Sequence, residues 1–228
     1  MKHTIIIGYS QQKTNLCLAG DTEHDHTKTI AKYLYGGLLE DGYMECILID
    51  DSPGLLDSER LTNSILKIND EYKRLIENGL TDKEHCVCIM IHTNATGKAE
   101  DTAKGVEAIF YPGNNKTKNL GIRICKCLES LGFEDRGTYE NKKLKALNST
   151  HMSALIVECG FHNNREEALK IHLNLQNIAL QIINGIYKAL DIKTLSSNEK
   201  WIKETKIELK KIATGLKDYS SRLETLFK

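Results

Sequence analysis

Proline is nearly missing from this chain. Its two prolines, Pro53 and Pro112, both stand where neighbouring patterns break, so long uninterrupted helices and strands are permitted. Charge of one sign is not in excess, because 31 basic residues balance 31 acidic ones. That balance excludes the broad electrostatic footprint of a polyanion binder. No nucleic-acid partner is expected, and a polymeric substrate should be near neutral or recognised locally. No stretch approaches the roughly 20 apolar residues of a membrane span, and the apolar run of "MKHTIIIGYS" is too short for a signal peptide. The expectation is cytoplasmic synthesis without a signal peptide and without membrane insertion. The C-x-x-C spacing of redox and metal-ribbon sites is also absent. The seven cysteines lie mostly in apolar runs such as "HCVCIMI" and "IRICKCL", which fits buried reduced thiols rather than a disulfide framework. Internal repeats and low-complexity segments are lacking.

What the chain does contain is an alternation of periods. Residues 3–9, 43–50, 85–91, 105–111 and 153–158 read as apolar, partly β-branched strands,. Segments 24–40, 56–77, 117–131, 164–173 and 175–190 carry helical spacing. The first opens after the N-cap residues Asp21 and Thr22, presents Ile30, Leu34 and Leu38, and stops at "EDGY",. This order predicts an α/β fold, a single domain over residues 1–192 with a mostly parallel twisted sheet flanked by helices on both faces. From residue 193 to 228 the composition changes. "KTLSSNE" reads as a linker, and a C-terminal helical extension follows with Ile202, Leu209, Leu216 and Leu223 in one row and Thr205, Ile212, Tyr219 and Leu226 in its companion. Over residues 201–227 that heptad seam predicts either a coiled coil joining copies into a homo-oligomer or an amphipathic helix packed on its own domain.

Three side chains carry the chemistry. The apolar stretch "SALIVECGF" holds Glu158 near its end, and an ionised carboxylate there is costly unless paired, metal-bound or held protonated. His92 closes the strand in "IMIHTNATG", and the carboxyl ends of strands are where open α/β sheets bind ligands. Glu23 falls at the start of the first helix. Each has a plainer reading, a hydrogen-bonded strand-end histidine or a carboxylate stabilising a helix N-terminus. Together, one imidazole and two carboxylates suit a hydrolytic metal site.

At these residues the chain resembles the zinc-dependent N-acetylmuramoyl-L-alanine amidases, especially the catalytic domains of endolysins from phages of Gram-positive bacteria. The resemblance runs in order through "IHTNATG", "KGVEAIFY", "DRGTYENKKLKALNST" and "SALIVECGFHNNREE", and covers roughly residues 1 to 190. It implies a bacteriolytic hydrolase that acts on cell-wall peptidoglycan after release and cleaves the amide between N-acetylmuramic acid and L-alanine. It further implies Zn2+ as cofactor, Glu23 and His92 as ligands, and Glu158 as general acid/base. Where the family has its first histidine ligand, this chain reads "IIIGYSQQ", which puts Tyr9 in the ligand position. A phenol binds zinc well only as phenolate. His24 and His26 stand close enough in sequence to be replacements. By position, Asn94 after His92, and Asn148, Ser149 and Thr150 before the last strand, are candidate substrate contacts, while Arg136 and Gly137 in "DRG" match either a family block or a turn with a salt bridge. Three readings follow: an active amidase with an altered metal site, a degenerate relative that binds cell wall or another partner without catalysis, and an assembly protein that uses its tail.

Overall fold

The computed structural model describes residues 2–54 and 56–193. Six strands form one sheet: β1 (Thr4–Tyr9), β2 (Glu45–Leu48), β3 (Cys86–Asn94), β4 (Val106–Phe110), β5 (Asp135–Glu140) and β6 (Ser153–Phe161). Their order is β2-β1-β3-β6-β4-β5. Neighbours are parallel except β4, which runs antiparallel to β6. The carboxyl ends of β1, β3 and β6 therefore meet along one edge.

Side-chain alternation divides the core between the two faces of the sheet. Ile5, Ile7, Ile89, Ile91, Leu155 and Val157 pack under α1 (Glu23–Asp41), α3 (Asn115–Leu128) and α6 (Leu175–Ala189). Ile6, Cys88, Met90, Ala154 and Ile156 face α2 (Asp57–Glu77) and the short α4 (Lys145–Asn148). Strands covered on both sides have no polar face to show, which is why they read as continuous apolar runs. Each large aliphatic side chain so buried contributes roughly 2 kcal/mol. All seven cysteines are free and buried, as their apolar surroundings predict.

The differences from the sequence reading are local. β5 appears where no strand is expected, at the sheet edge beside β4. The 117–131 helix starts at Asn115, ends at Leu128 and is extended by a 3₁₀ turn over Glu129–Leu131. β3 runs past His92 to Asn94, with a break in register between the two. α5 (Arg165–Leu173) follows β6 as expected. The heptad segment 201–227 lies outside the described residues. Among the described residues, no helix is long and apolar enough to cross a membrane.

Candidate active site

Glu23 owes its position to a helix cap. The Thr22 side chain accepts the Asp25 backbone N–H, and the Asp25 carboxylate accepts the Thr22 N–H, a reciprocal pair that fixes the first turn of α1,. Glu23 follows as the first helical residue and is 2 % exposed. Its Oε1 lies 3.2 Å from His92 Nδ1, and its Oε2 accepts a hydrogen bond from Asn15 Nδ2 at 2.9 Å. Burial opposes charge on both partners. The hydrogen bond and mutual attraction outweigh it, raising the His92 pKa and lowering that of Glu23,.

His92 and Glu158 are direct partners in the β3–β6 register. On the other side of Glu158 stands Glu107 of β4, whose carboxylate accepts from Arg136 Nε at 2.8 Å and from Asn94 Nδ2 at 2.9 Å. Glu158 itself has no such help. Its Oε2 and the Nε2 of His92 are closed off from solvent and without a hydrogen-bond partner among the described residues. Desolvation is the main cause that pushes the Glu158 carboxyl up to about 7, with the charges of Glu23 and Glu107 adding to it and that of His92 opposing,. A carboxyl with that pKa exchanges a proton readily near neutrality. Beside it, His162 Nδ1 lies 3.0 Å from Thr93 Oγ1.

Tyr9 sits in the apolar layer under α1 and is fully buried. Its hydroxyl donates to Asp51 Oδ1 at 2.6 Å. Asp51 also receives Lys28 Nζ at 2.9 Å, Lys13 Nζ at 3.2 Å and His24 Nε2 at 3.3 Å. Burial, followed by the bond to Asp51, raises the Tyr9 pKa far above that of a free phenol. The phenolate that a metal needs is thus disfavoured. His24 is held by Asp51 and by the Ser10 carbonyl, 2.9 Å from its Nδ1. His26 turns to Asp21 and His172. Neither is bonded to Glu23 or His92.

The expected substrate contacts separate. Asn94 stays at the site through its bond to Glu107. Asn148, Ser149 and Thr150 precede Ser153, the first residue of β6, whereas Glu158 lies five residues further on, ~16 Å of extended chain. Their side chains bond locally, to the Lys142 carbonyl, to Asn148 Oδ1 and to the Ala146 carbonyl respectively, and Asn69 of α2 grips the Ser149 carbonyl. These three therefore lie toward the start of β6, whereas Glu158 lies toward its end.

A sequence profile of the N-acetylmuramoyl-L-alanine amidases matches residues 4–190. The chain belongs to that family. Solved structures agree with the assignment. The catalytic domain of the CD27L endolysin targeting Clostridia difficile is 25 % identical, with a TM-score of 0.62 over 86 % of this chain and 99 % of the other. An N-acetylmuramoyl-L-alanine amidase from Clostridium difficile 630 is 22 % identical, with a TM-score of 0.66 over 84 % and 98 %. The catalytic domain of the amidase CwlV from Bacillus (Paenibacillus) polymyxa var. colistinus is 19 % identical, with a TM-score of 0.62 over 85 % and 100 %. No curated protein sequence matches. Two corners of a tetrahedral zinc site bonded at about 2.0–2.1 Å stand about 3.3 Å apart. Glu23 Oε1 and His92 Nδ1, at 3.2 Å, meet that spacing. The Tyr9 hydroxyl, the expected third ligand, donates instead to Asp51.

Glu107 and Asp51 escape sequence reasoning. Glu107 interrupts "GVEAIFY" as a lone carboxylate in an apolar strand, the same signal that singles out Glu158. Asp51, in a loop after β2, carries no such signal.

Proposed function

We propose that this amidase hydrolyses the peptidoglycan amide between the N-acetylmuramic acid lactyl group and L-alanine, with Glu158 as general acid/base. The observation that carries this reading is the unpartnered Glu158 Oε2 beside His92, on a carboxyl whose pKa lies near 7. Such a group accepts the proton of the attacking water and, once protonated, delivers it to the nitrogen of the departing alanine as the C–N bond breaks. Glu23 and His92 would hold the family's zinc ion, which when bound polarises a carbonyl and makes water acidic. Glu107, paired with Arg136, keeps a second carboxylate near Glu158, and its charge helps hold the Glu158 proton. Asn94, fixed by Glu107, stands ready at the cleft as a substrate donor.

A second reading has its own observation. The Tyr9 phenol is tied to Asp51 instead of offering a ligand, and a site with two corners filled fits a relative that binds cell wall without cutting it. Glu158→Gln separates the two, since it keeps shape and removes proton transfer. Loss of walls' turbidity should slow by about 10²- to 10⁴-fold, the usual contribution of general acid/base work, with metal content unchanged. Undiminished lysis would remove Glu158 from the chemistry. Absence of lysis in the wild type would favour the binding reading.

A further inference from the structure

Away from Glu158, the loop before α1, the first turns of α1 and the last turn of α5 bring three ligating atoms into a small triangle. His26 Nε2 lies 3.1 Å from His172 Nδ1, His172 Nδ1 lies 3.0 Å from Asp21 Oδ2, and His26 Nε2 lies 3.3 Å from the same Oδ2. These edges match the roughly 3.3 Å that separates neighbouring ligands of a tetrahedral zinc ion.

Protons satisfy such a triangle only imperfectly, since two N–H groups that both donate to Asp21 Oδ2 still stand close to one another. Each nitrogen carries at most one proton, and the carboxylate oxygen carries none. With both nitrogens protonated, two donors face each other across 3.1 Å. With one protonated, a bare nitrogen faces the carboxylate. Every arrangement leaves at least one edge between groups of like polarity. A cation at the centre turns all three lone pairs inward and removes the conflict.

We infer that Asp21, His26 and His172 form a second metal site, for a transition-metal dication of the zinc class. Two imidazoles and one carboxylate are a donor set that such ions accept. The His26 side chain is 1 % exposed, so it forms the floor of the site, while Asp21 at 46 % and His172 at 42 % leave one side open to a water as fourth ligand. His26 Nδ1 has no hydrogen-bond partner among the described residues, so nothing locks the ring in the tautomer that would donate from Nε2. The metal ties α5 to the entrance of α1. The site stands independently of the amidase chemistry, because none of its three side chains is hydrogen-bonded or ion-paired to Glu23, His92 or Glu158 among the described residues.

The test is calorimetric titration of chelator-stripped full-length protein with Zn2+, repeated with Co2+, whose visible absorption reports a four-coordinate nitrogen and oxygen site. His172→Ala and Asp21→Asn change exposed side chains and should fold; each is expected to lose one bound equivalent relative to wild type. A Glu23→Gln/His92→Ala variant should keep one equivalent, and Zn2+ should still raise its melting temperature. Should that variant fail to fold, the difference between wild type and His172→Ala decides alone. Equal stoichiometry in wild type, His172→Ala and Asp21→Asn would overturn the site. Because the readout is metal binding, its failure is distinguishable from a failure of Glu158 in wall lysis.

Discussion

At position 9 a single side chain separates two accounts of the amidase. The phenol is buried and donates a hydrogen bond to Asp51, so histidine there would surrender that bond and gain a nitrogen able to ligate with Glu23 and His92. Asp51 would keep Lys13, Lys28 and His24, which limits the loss of stability. Tyr9→His should therefore raise zinc affinity by more than about tenfold, the lower end of what altering even an outer-shell partner costs a metal site. The titration belongs in a His172→Ala background, so that the second site does not contribute. Weaker binding together with slower lysis would mean that tyrosine serves a working site. Glu23, His92 and Glu158 can be picked out in the sequence because Glu23 opens a helix and the other two interrupt apolar runs close to the ends of β3 and β6. The sequence does not disclose their partners. Asp51 reaches Tyr9 across 42 positions and Glu107 reaches Arg136 across 29, and such pairings exist only once the sheet order is known. Asn148, Ser149 and Thr150 show the converse, since they precede β6 in sequence while Glu158 lies toward its other end.

Elements with one strong period are legible, and those without one are not. β1, β3 and β6 are covered on both faces, and their apolar runs admit no other reading. β5, "DRGTYE", is an edge strand with every residue partly or fully exposed, so no face of it needs to be apolar. Its pairing to β4 comes from backbone hydrogen bonds, and composition carries no trace of those. Glycines inside helices pose a similar problem, because the sequence marks them all alike while the packing gives them opposite roles. A Cβ on Gly36 of α1 would meet nothing within 4 Å. Gly36→Ala should stabilise by about 0.5–1 kcal/mol, through helix propensity and a less free unfolded chain. A Cβ on Gly185 of α6 would stand 2.6 Å from Ile124 Cα and 2.8 Å from its backbone nitrogen, atoms of α3 that no rotamer change can move. Gly185→Ala should destabilise by about 2 kcal/mol despite the same gain in propensity. Urea midpoints of the two variants should shift in opposite directions; a shift of one sign for both would mean that α3 and α6 do not approach so closely.

Over the whole molecule, balanced charge hides carboxylates that respond to acid in opposite senses. Asp51 is the ordinary kind. Burial opposes its charge, but bonds from Tyr9, Lys28 and Lys13 outweigh that and lower its pKa. Its stabilising effect is present above the unfolded value of about 3.9 and fades as the pH falls below it. Glu158 is the reverse. Its folded pKa stands at about 7, above the unfolded value of about 4.3. Below the lower figure it is protonated in both states and costs nothing. As the pH rises through the window between the two, the unfolded chain ionises first, and folding must hold a proton or desolvate a charge. Above about 7 the full cost remains. At about 1.4 kcal/mol per unit that cost is at most on the order of 4 kcal/mol, and less to the extent that Glu158 keeps exposed surface. Metal-free amidase should accordingly lose stability between about pH 4.5 and 7, and His92, whose pKa is raised by Glu23 and Glu158, adds a further loss as the pH rises above its unfolded value of about 6.5,. Glu158→Gln has nothing to ionise there. Unfolding free energies measured in chelator at steps across this window should fall less steeply for the variant than for the wild type, and parallel curves would show that Glu158 does not carry a raised pKa. The same curve bears on the proposed chemistry, in which the proton whose loss destabilises the fold is the one that Glu158 exchanges.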